Sequence, residues 1–210
     1  MLESVRRPAL LVIDMQNDFV REGAPLEVAA ARATIPVIAR LLERFRARGL
    51  PVAYLRYVAD PVHFPLAAKL GWIEKLKPPV NACVVGARRH YPDLGSERPV
   101  AEIVDELTPR TGEMVIDKTY YSAFHGTGLE KRLAGEHVDA VVVVGTVSEM
   151  CVEDTARHAV HFGYPTVIVR DAVSSSDPQA ETAMFHAFER NYGWVLDADR
   201  LLALPALAAR

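Results

Sequence analysis

Short apolar runs alternate along this chain with segments of helical spacing, and that alternation restricts the fold to one broad architecture. Ala9 to Asp14 reads Ala-Leu-Leu-Val-Ile-Asp, and Val138 to Val144 is almost entirely valine and alanine. Strands apolar at successive positions must be covered on both faces, as in a parallel sheet. Between them Ile35, Ile38, Leu41, Leu42 and Phe45 repeat at helical spacing, with Gly49 as the stop. Thr34-Ile35-Pro36 marks either the start of that helix or a kink near it. Further strands are expected at Pro51 to Tyr57, Met114 to Lys118, Pro165 to Arg170 and Gly193 to Leu196. Helices are expected at Thr127 to Ala134, Ser148 to Phe162, and from the Asp177-Pro178 cap to about Tyr192.

Six strands joined by crossovers predict an α/β fold, a doubly wound six-stranded parallel sheet with helices on both faces in three layers. One domain over residues 1–210 accommodates it. The proline-rich stretch from about Ala59 to Glu113, with one short helix at Val100 to Leu107, reads as an insertion serving as a lid or a subunit interface.

A net charge of −3 gives no basic field for nucleic acid or an anionic membrane. No stretch approaches the roughly 20 apolar residues of a membrane span. Two cysteines, Cys83 and Cys151, make neither a disulfide framework nor a CxxC motif. A cytoplasmic protein is expected.

In a sheet of this kind ligands sit beyond the carboxyl ends of the strands, near the switch in strand order. That rule selects Asp14, Lys118, the Gly145 to Cys151 turn and Asp171. Cys151 enters a helical pattern, where the macrodipole favours thiolate and free backbone N–H groups can bind an oxyanion. Asp14 is placed to take and return a proton, and Lys118 to hold the charges of both. The alternatives are a buried cysteine acting as a small hydrophobe, a loop-capping aspartate and a solvated lysine.

Leu-Val-Ile-Asp-Met-Gln-Asn-Asp-Phe at the first strand, Asp-Lys-Thr-Tyr-Tyr-Ser-Ala-Phe at the third and Gly-Thr-Val-Ser-Glu-Met-Cys-Val at the fourth resemble the isochorismatase-like cysteine hydrolases. The resemblance implies a catalytic set of Cys151, Asp14 and Lys118, a homo-oligomer (dimer or tetramer), and a cis peptide at Val147–Ser148 that turns backbone N–H groups into an oxyanion hole. Members that cleave a vinyl ether lack the cysteine, so amide chemistry is expected, on a small uncharged or anionic linear amide. The segments Cys151 to Arg157 and Phe188 to Val195 are similar to ureidoacrylate and biuret hydrolases. Nicotinamidase-type members carry an Asp-x-His metal site. Asp60-Pro61-Val62-His63 has the wrong spacing for it, and His90 would have to be recruited, so no metal and no other cofactor are expected. The rivals are a nicotinamidase-like metal-assisted amidase and a silent binding subunit on the same fold.

Phe19, Trp72, Tyr120 and Tyr121 are candidates for an apolar pocket, and His125 for substrate contact or for capping the next helix. His158 reads as packed or partner-facing, Glu153 as a partner for an arginine, and Cys83 as inert. Gln16, Asn17 and Asp18 are expected to tie down the loop after the first strand, with Asp18 also able to orient Lys118.

Overall fold

The expected parallel sheet forms, and it is wound in both directions from one central pair of strands. The computed structural model describes residues 1–60 and 71–208. In chain order the strands are β1 (Pro8–Ile13), β2 (Val52–Tyr57), β3 (Arg88–Tyr91), β4 (Ser96–Pro99), β5 (Met114–Lys118), β6 (Ala140–Thr146), β7 (Thr166–Ser174) and β8 (Trp194–Leu196). The main sheet has the order β5-β2-β1-β6-β7-β8 with every neighbouring pair parallel. β3 and β4 form a separate antiparallel hairpin. The switch in winding direction therefore falls between β1 and β6, where a ligand cleft is expected.

The helices are α1 (Asn17–Val20), α2 (Ala31–Ala47), α3 (Leu129–Gly135), α4 (Glu153–His161), α5 (Pro178–Asn191) and α6 (Ala198–Leu202). Strand alternation divides the core between the two faces. Leu10 and Val12 of β1 pack with Ile38, Leu41, Leu42 and Phe45 of α2. Ala9, Leu11 and Ile13 pack on the other face with residues of α3, α4 and α5. Among the described residues no helix is long and apolar enough to cross a membrane.

Several boundaries move, each for a local reason. α2 begins at Ala31, so Pro36 lies inside it and removes one helical hydrogen bond. Gly49 follows at φ 62°. The helix expected at Val100 to Leu107 shrinks to a 3-10 turn at Asp105–Leu107. Its other backbone groups are spent on the loop after β1: Asn17 N–H donates to Glu102 O, Asp18 N–H to Val100 O, and Val104 N–H to Met15 O. α3 starts at Leu129, whose N–H donates to Thr127 Oγ1. β7 runs on to Ser174, which places Asp171 within the strand, where it accepts from Ala198 N–H at 2.8 Å. Asp171 thus serves the start of α6 and not the ligand end of the sheet. The Asp177 cap forms as expected, its Oδ1 accepting from Gln179 and Ala180 N–H.

Gly145 sets how closely the central strands meet. It pairs with Ile13 across the switch point, and a Cβ there would lie 2.0 Å from Ile13 O. Its φ of +113° adds a conformation that side chains rarely adopt. Gly145→Ala is expected to cost more than about 3 kcal/mol, by forcing apart the strands that carry the site. Gly126→Ala, at φ +70° with open space around it, is expected to cost only about 1 kcal/mol. Urea midpoints of the two variants check the difference.

Candidate active site

Asp14, Lys118 and Cys151 lie at or after the ends of three separate strands and meet in a buried cluster. Asp14 follows β1 at φ 50°, a left-handed turn that aspartate tolerates better than most residues. Its N–H donates to Leu55 O and its carbonyl accepts from Gln16 N–H at 2.8 Å, which fixes the turn. Lys118 closes β5, two strands from β1, and its stem spans the end of β2 with Nζ 5.5 Å from the centre of the Tyr57 ring. Cys151 sits on a wide π-type turn, Ser148–Val152, between β6 and α4.

The Lys118 ammonium has three protons and three acceptors: Asp14 Oδ2 at 2.8 Å, Tyr120 O at 3.1 Å and Cys151 Sγ at 3.3 Å. Asp14 and Lys118 are both essentially inaccessible. Burial lifts the Asp14 carboxyl above the ordinary carboxylate range, against the pull of Lys118. Burial also works to lower Lys118, but Asp14 and Cys151 outweigh it and keep the ammonium charged.

The thiol departs from the sequence expectation. Burial, reinforced by the Asp14 charge, pushes Cys151 well above its ordinary value, and Lys118 offsets only part of this. The helix dipole expected to favour thiolate is too weak to reverse that desolvation, and α4 itself begins only at Glu153. Desolvation therefore works against the thiolate, and the thiol lies beside the Asp14 carboxyl, to which its proton can pass.

The non-proline cis peptide is at Thr146–Val147, not Val147–Ser148. Thr146 still pairs with Ser174 as the last residue of β6, so the chain reverses immediately after it. Val147 lines the cavity, and its carbonyl collects the N–H groups of Met150 and Val152. Ser148 is buried and donates from Oγ to Glu181 Oε1 at 2.7 Å, anchoring the turn to α5.

A cavity of about 270 Å³ opens beside Cys151. Phe19, Tyr57, Trp72 and Tyr121 form an aromatic wall with successive ring centres 6.0 to 6.4 Å apart, the first two contacts edge-to-face and the third tilted. Of the four aromatic pocket candidates, Phe19, Trp72 and Tyr121 line this cavity. Tyr120 does not line the cavity; its carbonyl holds Lys118 while its ring packs on His125 at 4.6 Å. His125 is exposed, does not line the cavity and does not cap α3. Sequence reasoning missed Tyr57, Glu149, Leu26, Val28 and Ser176 on the lining. Tyr57 ends β2 and was open to the strand-end rule, whereas Leu26 and Val28 carry no local signal.

The surrounding residues account for the remaining expectations. Asp18 does not reach Lys118; its carboxylate takes Cys83 N–H, Arg89 Nε and Tyr91 Oη. Gln16 bridges Tyr57 and Ala101, tying the loop after β1 to the following insertion. Cys83 is buried, with its thiol pushed far up chiefly by that burial. His158 is packed, with Nδ1 2.9 Å from Ser122 Oγ and its ring stacked on Phe162. Glu153 pairs with Arg157. His63 lies outside the described residues, and His90 is exposed on the hairpin. Among the described residues no three His, Cys, Asp or Glu side chains gather as metal ligands.

An all-parallel, doubly wound sheet with Asp14, Lys118 and Cys151 gathered at its switch point defines a three-layer α/β protein with a strand-end site. Residues 8–200 match the isochorismatase domain, so the chain belongs to the isochorismatase family. It is 30% identical over 204 residues to the ureidoacrylate amidohydrolase RutB of Yersinia enterocolitica, covering 91% of this chain and 86% of that protein. It is also 30% identical over 191 residues to the maleamate amidohydrolase of Pseudomonas putida, covering 91% and 83%. The crystal structure of an isochorismatase family protein from Desulfovibrio vulgaris superposes with a TM-score of 0.79 at 33% identity, covering 93% of this chain and 96% of that one.

A raised thiol pKa has a measurable signature. Cys151 alkylation by iodoacetamide is expected to be slow at neutral pH and to keep rising where an ordinary thiol, with a pKa of about 8.5, levels off. Lys118→Met removes the cation, so it should slow alkylation further and destabilise the fold by about 3–5 kcal/mol through the stranded Asp14. Mass spectrometry against pH and urea unfolding check the two effects.

Proposed function

We propose that this chain is a cysteine amidohydrolase that cleaves the C–N bond of a small linear amide, ureido or carbamoyl compound. The single observation behind the mechanism is the buried Lys118 ammonium touching both Asp14 Oδ2 and Cys151 Sγ. The amidohydrolase names of the relatives support the reaction class.

The neutral thiol gives its proton to Asp14 as Sγ adds to the substrate carbonyl carbon, and Lys118 balances the negative charge that shifts between oxygen and sulfur. The N–H of Cys151 in the Ser148–Val152 turn receives the oxyanion, a contact of the kind worth about 3 kcal/mol in hydrolases. The C–N bond then breaks, and nitrogen leaves as ammonia or a small amine with the proton held by Asp14. Water, deprotonated by Asp14, adds to the thioester; the C–S bond breaks, the acid departs and the thiol regains its proton.

The aromatic wall and Lys75 bring the insertion into the cavity, which supports its role in closing over substrate. A cytoplasmic homo-oligomer belongs to the same reading, with its two cysteines free.

Ammonia release from ureido acids, biuret, carbamoyl amino acids, maleamate, nicotinamide and simple amides tests the proposal. At least one should be hydrolysed, with kcat/KM falling about 10⁴-fold or more in Cys151→Ala. Wild-type turnover in that variant would rule the mechanism out. Asp14→Asn, which keeps the turn but cannot carry the proton, is expected to lose activity to a similar extent.

A further inference from the structure

The cavity beside Cys151 carries an acceptor that the hydrolytic steps do not use. Glu149 lies on the lining, two residues before the nucleophile on the same turn. Ser175 Oγ donates to Glu149 Oε1 at 2.8 Å, and Ser175 is itself held by Asp177 N–H at 2.8 Å. The other carboxylate oxygen, Oε2, is buried without a hydrogen-bond partner, as are the Tyr57 hydroxyl on the same lining and Asp14 Oδ1. Five side-chain polar atoms among the described residues are in that condition, and these three belong to the site. Buried polar groups are otherwise nearly always paired. Unmet bonding capacity beside a cavity is where the polar groups of a ligand gain most.

The charged groups on the lining are not equivalent. Glu27 is already occupied by Arg32 and by Gly23 N–H. Lys75 donates from Nζ to Pro25 O at 2.6 Å, and the three protons of Lys118 are all used in the buried cluster. Among the described residues the lining therefore holds one carboxylate without a cation partner, Glu149 on the nucleophile's own turn, while Lys75, exposed on the insertion, keeps its charge and two unused protons. Much of the remaining surface is apolar or aromatic, including Phe19, Leu26, Val28, Trp72 and Met150.

We propose that Glu149 is a specificity-determining residue: it accepts hydrogen bonds from substrate N–H groups and selects uncharged ureido or carbamoyl compounds over amides that carry a carboxylate. This rests on the hydrolase reading only for the placement of the reacting carbonyl at Cys151. A –NH–CO–NH₂ group brings three N–H donors to a site with an unfilled acceptor, and a short apolar tail packs on the aromatic wall. A carboxylate on the same substrate would meet Glu149 as a like charge in a small, largely apolar space, which is unfavourable.

Matched substrates that differ only by methyl against carboxylate test it: propylurea with N-carbamoyl-β-alanine, and butyramide with succinamate. The wild type is expected to favour the uncharged member of each pair by about tenfold or more in kcat/KM, and Glu149→Gln to bring that ratio toward unity through KM. Partial unfolding of the variant would scale both members alike and leave the ratio unchanged. The same pairs titrated onto Cys151→Ala and Cys151→Ala/Glu149→Gln, read by Trp72 fluorescence, give the ratio as Kd without turnover. Failure of every amide to turn over would defeat the hydrolase reading, and the Kd ratio would still decide the role of Glu149. A wild-type preference for the carboxylate member, or a ratio untouched by Glu149→Gln, overturns the proposal.

Discussion

The site depends on one buried cation whose protons are all spoken for. An ammonium removed from water costs several kcal/mol unless its geometry is nearly complete. Lys118 meets that condition with Asp14, the Tyr120 carbonyl and the Cys151 sulfur. The same three contacts fix the separations among the reacting groups, because moving any acceptor leaves a buried proton unpaired. Charge balance is also local: burial raises the proton affinity of both Asp14 and Cys151, and Lys118 offsets only part of that rise.

That cluster exists only because the strands bearing it are held at fixed spacing. Gly145 lets β6 approach Ile13 more closely than any side chain permits, at the point where the sheet changes winding direction. Asp14 follows Ile13 directly, so the position of the carboxylate follows from the position of that glycine. The loop beyond Asp14 is stitched to the insertion through Gln16, Asn17 and Asp18. The insertion thereby becomes part of the cavity wall instead of a detached excursion, and it gives up a helix at Val100 to Leu107 in doing so.

The cavity divides reactivity from selection. Cys151 lines it, with Asp14 and Lys118 buried behind the thiol, where desolvation sets proton affinities. In the proposed reading the aromatic wall and Glu149 face the remainder of a small ligand, and the sign of that carboxylate distinguishes molecules with the same reacting carbonyl.

Much of this was legible from local pattern. Apolar runs located all six sheet strands, because a strand covered on both faces must be hydrophobic at successive positions, and strand ends pointed to Asp14, Lys118 and Cys151. Fine boundaries were less legible: β7 overran Asp171, and His125 turned outward, since loop side chains answer to neighbours distant in sequence. The sequence by itself determined the layered α/β architecture and the residue types at its switch point. Only the tertiary structure decided the raised proton affinity of Cys151, the register of the cis peptide, and the joining of Glu149, Tyr57 and residues 25–28 on one wall. Desolvation and cavity shape are sums over groups from many segments, and no local pattern contains them.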